Sequence, residues 1–168
     1  MADIDFLSTD LQQTTNARRF GICDSQLAPT DPAYITTTDG TTWIATVING
    51  QQTLVSFYPI DNGVDFFQLI GSDPSKCEGV LELSNDDLIL VELKERIGDG
   101  WFSDGKKQII STIELMETHN PAQRARVRYA YVCNSRRPKS KVSRSSSMQE
   151  FAIKHSIVLK DQTLITVS

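Results

Sequence analysis

Cys77-Glu78-Gly79-Val80-Leu81-Glu82-Leu83-Ser84-Asn85-Asp86-Asp87-Leu88-Ile89-Leu90-Val91-Glu92-Leu93-Lys94 reads as two apolar strands joined by a polar turn. Serine, asparagine and aspartate form turns well and strands poorly, whereas Val, Leu and Ile favour the pleated sheet. Side chains two apart in a strand share a face, so Glu92 and Lys94 point one way and Leu93 the other. A turn centred on Asn85 sets Glu78 opposite Glu92 across the ladder. Two carboxylates and an ammonium then converge at one end of the hairpin.

Such a group has a chemical use. Hard divalent cations take carboxylate oxygens and retain waters, so Glu78 and Glu92 are candidate ligands for Mg2+, or Mn2+, held against a phosphodiester. Lys94 is placed to orient the attacking water or to stabilise charge on the phosphate. Taken alone, a Glu-x-Lys in a strand is more often a cross-strand salt bridge on a wet surface.

The order of elements supplies the context. An upstream acid at Glu78, Glu92-Leu93-Lys94 ending an apolar strand, and a helix bearing Gln108 in Lys106-Lys107-Gln108-Ile109-Ile110 resemble the PD-(D/E)xK nuclease superfamily of restriction enzymes, resolvases and repair nucleases. The resemblance covers about residues 76 to 135, with Glu78 standing where the family carries aspartate after proline. It implies a catalytic set of Glu78, Glu92, Lys94 and Gln108. It also implies a restriction-endonuclease-like α/β fold with a central mixed sheet flanked by helices, magnesium-dependent endonuclease activity on DNA, and a homodimer as the working form. The rival expectations are a catalytically silent nuclease-like scaffold with a protein partner in a defence or toxin-immunity system, and a DNA binder without chemistry.

Charge distribution bears on the same question. The net charge is −4, yet Pro121 to Gln149 contains no acid and eight of the 17 basic residues: Arg124, Arg126, Arg128, Arg136, Arg137, Lys139, Lys141 and Arg144. Such a segment attracts a phosphate polymer through Coulomb forces and counterion release, and these eight are the candidate nucleic-acid-binding residues. Residues 134–147, rich in Ser, Arg and Lys, read as mobile because they have little to bury.

The 168 residues are expected to form one domain with a core of ordinary size. Apolar content of 39% and a mean hydropathy of −0.26 fit a soluble chain. No run reaches bilayer-spanning length and the N-terminus lacks a signal-peptide pattern, so no membrane association is expected. Three widely spaced cysteines, Cys23, Cys77 and Cys133, point to a reduced, cytoplasmic setting. Glycine-rich phosphate loops, GxGxxG, paired CxxC and HExxH are all lacking, which leaves nucleotide-hydrolysing, dinucleotide-dependent and zinc readings without support.

Along the chain, Leu7 and Leu11 at i, i+4 predict a short helix between Asp5 and Asn16. Tyr34–Pro59 forms an N-terminal β-rich region of three strands, with Asp39-Gly40 and Asn49-Gly50 as hairpin turns between them. Val64–Ile70 suits either a strand or a buried helical turn. Ser103 or Asp104 caps a helix running to about Thr118 on a stripe of Ile109, Ile110, Ile113 and Met116, with Gln108 and Thr112 at its edge facing either the acids or water. Ala125–Cys133 alternates as a strand, with Val127, Tyr129, Tyr131 and Cys133 on one face. Met148–His155 reads as a helix, followed by a terminal hairpin around Lys160-Asp161-Gln162.

Overall fold

The structure, a computed structural model, describes residues 3–24, 30–39, 42–136 and 144–167. After a 3-10 turn at Thr9–Leu11, the elements in order are β1 (Gln13–Thr15), β2 (Arg19–Cys23), β3 (Tyr34–Thr36), β4 (Ala45–Asn49), β5 (Val55–Pro59), α1 (Phe66–Ile70), β6 (Gly79–Glu82), β7 (Leu88–Lys94), α2 (Trp101–His119), α3 (Pro121–Arg124), β8 (Val127–Asn134), α4 (Ser145–His155), β9 (Val158–Lys160) and β10 (Leu164–Val167). Among the described residues they form a mixed α/β fold with two mixed sheets and four helices.

One sheet has six strands in the order β1-β5-β6-β7-β8-β9, antiparallel up to β7 and parallel from β7 to β9. The other has four, ordered β10-β4-β2-β3. The larger sheet lies between the helices and the smaller sheet. Its central strand shows why: Leu88 and Leu90 of β7 join α2's Ile109, Ile113 and Met116 in one core, while Ile89, Val91 and Leu93 join Phe20, Val47 and Ile165 in the other. A strand covered on both faces needs a continuous apolar run, and Leu88–Leu93 provides one until Glu92. The parallel pairing of β7 with β8 requires a crossover, which α2 supplies.

The hairpin register agrees with the sequence reading, since Gly79 pairs with Val91 and Glu82 with Leu88, both centred on Asn85. Several local expectations are corrected. Residues 5–16 contain no helix beyond the 3-10 turn; Ile4 and Phe6 are buried, their N–H groups donating to the His119 carbonyl and to Gln123 Oε1, while Leu11 is exposed. Leu7 packs at the edge of the helix-side core but Leu11 does not, and Gln13–Thr15 instead pairs with β5.

Neither expected turn joins paired strands. β2 lies between β3 and β4, and β4 and β5 belong to different sheets; Gly40 lies outside the described residues. At Asn49 the buried side chain bonds Thr53 N and O, and Gln52 takes a positive φ of 51°, so a side-chain clamp turns the chain from one sheet to the other. Val64–Ile70 resolves as the short α1, capped by Asp65.

In β8, Val127 pairs with Leu88 but Tyr129 pairs with Ile89, leaving Arg128 as the extra residue of a bulge. The bulge resets the alternation, so Val127 enters the helix-side core while Tyr131 and Cys133 enter the inter-sheet core. The terminal hairpin is also corrected. β9 pairs with β8, β10 pairs in parallel with β4, and Leu159 and Ile165 are buried in different cores.

α2 begins at Trp101, three residues earlier than a Ser103 cap implies, after Gly100 in the left-handed region with φ of 88°. It packs tightly on the sheet at Gly105, where a Cβ would stand 2.4 Å from Val132 Cγ1. Gly105→Ala should therefore destabilise the protein by about 1–3 kcal/mol in denaturant unfolding, despite alanine's higher helix propensity. Combining it with Val132→Ala should cost less than the sum of the single losses. A stabilised Gly105→Ala variant would show that α2 sits farther from β8.

Candidate functional site

Glu92 and Lys94 leave β7 on the helix side of the sheet, where α2 begins to cross towards β8. The Glu92 side chain is 1% exposed and its Oε2 lies 2.9 Å from Lys94 Nζ. Glu78 is one residue ahead of β6, so it extends the register opposite Glu92, and its backbone N–H donates to Glu92 Oε1 at 3.2 Å. The crowding predicted from the spacing is present.

α2 closes the group from above. Lys94 Nζ donates to Gln108 Oε1, and Gln108 Nε2 donates to the Lys76 carbonyl at 3.2 Å. One turn later, Thr112 Oγ1 accepts from Cys77 N at 2.8 Å, and between them Ser111 Oγ donates to the Ser75 carbonyl. Gln108 and Thr112 thus face the hairpin rather than water. Helical spacing places 108, 111 and 112 along one edge, and that edge fixes the irregular segment 75–77 that delivers Glu78.

Beneath this segment lies a second cation. Lys76 is 8% exposed, with its ammonium 2.5 Å from Asp73, 3.5 Å from Asp61 and 3.1 Å from the Pro74 carbonyl. Asp61 N also donates to the Glu78 carbonyl at 3.3 Å, bringing a further carboxylate to the edge of the group. Sequence reading missed Lys76 and Asp61 as parts of the site, because only the folded path of 59–78 brings them to Glu78.

Burial and like charge set the electrostatics. Burial pushes the Glu92 carboxyl up to about 7, with the Lys94 ammonium opposing the rise. The Glu78 carboxyl rises to about 8, chiefly from burial, then from the Glu92 charge, with Asp24 and Asp61 adding and Lys94 opposing. Burial also raises the Cys77 thiol, to about 12, which makes it a packing residue rather than a nucleophile. Glu92 Oε2 has the Lys94 ion pair but no aligned hydrogen bond, and it is the one such buried side-chain atom among the described residues.

The basic residues divide between the two ends of β8. Arg124 pairs with Glu117 at 3.1 Å, Arg126 with Glu82, and Arg128 with Asp87 at 3.6 Å, all at the amino end. β7 separates that end from Lys94 by roughly 20 Å at about 3.3 Å per residue. Arg136 is exposed at the carboxyl end near Lys94, and Arg144 lies over Trp101 and Phe102 and pairs with Asp161 at 3.3 Å. Arg137, Lys139, Lys141 and half of the segment read as mobile, 137–143, lie outside the described residues, while Asn134 ends β8 and Ser145–Ser147 open α4.

Among the described residues no group of three or more His, Cys, Asp and Glu side chains is arranged to hold a metal ion, and no helix is long and apolar enough to cross a membrane. No family model matches the chain, nor does any curated protein or solved structure.

The raised acids carry a pH signature. Each holds its proton above the ordinary carboxylate range, so the folded state binds more protons than the unfolded state and loses stability as pH rises through about 7 to 8. Glu78→Gln should remove part of that loss. Its melting temperature relative to the parent should be higher at about pH 8.5 than at about pH 4, where both forms are neutral. A difference that stays constant across that range would mean Glu78 is not held in an unfavourable charged environment.

Proposed function

We propose that this chain is a PD-(D/E)xK-like, restriction-endonuclease-like nuclease that hydrolyses phosphodiester bonds in DNA with magnesium or manganese. The observation that carries the reading is the buried Glu92–Lys94–Gln108 network, closed by Glu78 across the hairpin. A buried ion pair is a poor device for stability, since desolvation offsets most of its Coulomb energy. Placed at the carboxyl end of a core strand, it suits chemistry better than folding.

Glu78 and Glu92 are the residues that would hold the cation. Their oxygens are the hard donors magnesium prefers, two carboxylates leave room for waters and phosphate, and Glu92 Oε2 lacks an aligned hydrogen bond. When bound, magnesium supplies Lewis-acid polarisation of the scissile phosphate. Lys94 brings a fixed ammonium to the phosphate oxygen that gains charge, or to the attacking water. Gln108 holds that ammonium from the helix side, and its own amide is held by the Lys76 carbonyl, so the donor is positioned before substrate arrives. The β5-β6-β7 meander, the α2 crossover and parallel β8 support the restriction-endonuclease-like reading of the larger sheet.

The second reading, a silent scaffold that recognises a protein, draws on one feature. Lys94 is already satisfied by Glu92 and Gln108, and Glu78, one methylene longer than the aspartate the family carries, holds its proton to about 8. In that reading the lysine needs no ligand.

Cleavage of plasmid and single-stranded DNA separates the two. With magnesium or manganese the parent should nick DNA, and Glu92→Ala and Lys94→Ala, shown folded by circular dichroism, should lose about a hundredfold or more in rate. A parent that leaves every substrate intact with either metal would favour the scaffold.

A further inference from the structure

We propose that Arg96, Lys107 and Arg136 form the surface that grips the DNA backbone, at the carboxyl ends of β7 and β8. The inference rests on the nuclease reading and relocates its substrate from the part of the basic segment most obvious in sequence. Asn134 is the organising residue. It is 1% exposed and pairs with Lys94 in the β7–β8 ladder. Its Oδ1 accepts from both Arg96 N and Arg136 N at 3.1 Å, and its Nδ2 donates to the Arg96 carbonyl at 2.8 Å. A single buried amide therefore brings two arginines, 40 residues apart in the sequence, beside the lysine of the site.

Lys107 supplies the third point. It is exposed on α2 immediately before Gln108, whose amide holds Lys94. Asp104 shows that these cations share one field: Arg96 pairs with it at 2.8 Å and, as the largest cause, holds its carboxyl below the ordinary range, with Lys107 and Lys94 adding to the effect. Neither Lys107 nor Arg136 makes an ion pair among the described residues, and the Arg96 pair with Asp104 lies at this end, whereas Arg124, Arg126 and Arg128 sit with Glu117, Glu82 and Asp87 at the far end. Glu95 and Asp99 lie on the intervening loop, so the surface holds phosphates at discrete points rather than along a continuous basic face. Discrete cations flanking the reactive group are what a phosphodiester backbone passing over the site requires.

Fluorescence anisotropy of a short labelled DNA duplex tests this, with calcium in place of magnesium and salt raised stepwise. Lys107→Ala and Arg136→Ala, each checked for an unchanged melting transition, should weaken binding about three- to tenfold at low salt and reduce the slope of log K against log salt by about one each. Arg96→Ala should do the same, while Arg128→Ala should follow the parent. Loss of affinity in Arg128→Ala with the other three unchanged would overturn the placement. Metal-dependent cleavage by the parent, alongside normal duplex binding by all four variants, would overturn this surface and leave the nuclease reading standing. A parent that binds no duplex even at the lowest salt would overturn both.

Discussion

Glu92 is the one charged side chain in the buried run of β7, and the site depends on how its carboxylate is accommodated. An unpaired carboxylate there would cost several kcal/mol or would keep its proton. The fold answers with Lys94 two residues on, the Glu78 backbone N–H across the hairpin, and a helix whose amide side chain holds the lysine in turn. The remaining tension is visible in both acids, whose protons are held well above the ordinary range. A divalent cation would relieve that tension, and the same physics links the protein's stability to pH and its proposed chemistry to metal.

This accommodation constrains the surroundings. α2 has to cross close to β7, and Gly105 permits the approach to Val132. Segment 75–77 has to be held without strand pairing, which Gln108, Ser111 and Thr112 achieve from the helix while Lys76 anchors it to Asp61 and Asp73. Asn134 ends the parallel ladder opposite Lys94 and orders the loops on either side. Lys76, Thr112 and Asn134 are polar groups buried at the edge of an apolar core and satisfied by named partners, as burial requires.

The hairpin was legible from sequence because its information is local. Alternation, a polar turn and a register centred on Asn85 place Glu78 against Glu92, whatever the rest of the chain does. The β-rich character of 34–59, the helix after Gly100 and the helix before His155 were legible for the same reason. Gln108 was legible as a residue at a helix edge, but its direction was not, because an exposed edge and a site-facing edge share one periodicity.

Composition and order of residues alone determined the β character of 34–59, the acidic hairpin, the helices after Gly100 and before His155 and the strand before Asn134, and that two acids and a lysine meet at one hairpin end; they did not determine the path of 5–23. Tertiary structure decided which sheet each strand joins: Asn49-Gly50 and Lys160–Gln162 carry the signals of hairpin turns, yet both pass the chain between sheets. It also decided that the arginines of 124–128 are spent on ion pairs far from Lys94, because the bulge at Arg128 and the acids of the 82–87 turn meet only after β7 and β8 align. The physical reason is range. Propensity and alternation act over a few residues, whereas the choice between two apolar cores, and between one carboxylate and another as an arginine's partner, is made by segments that meet only in the folded chain.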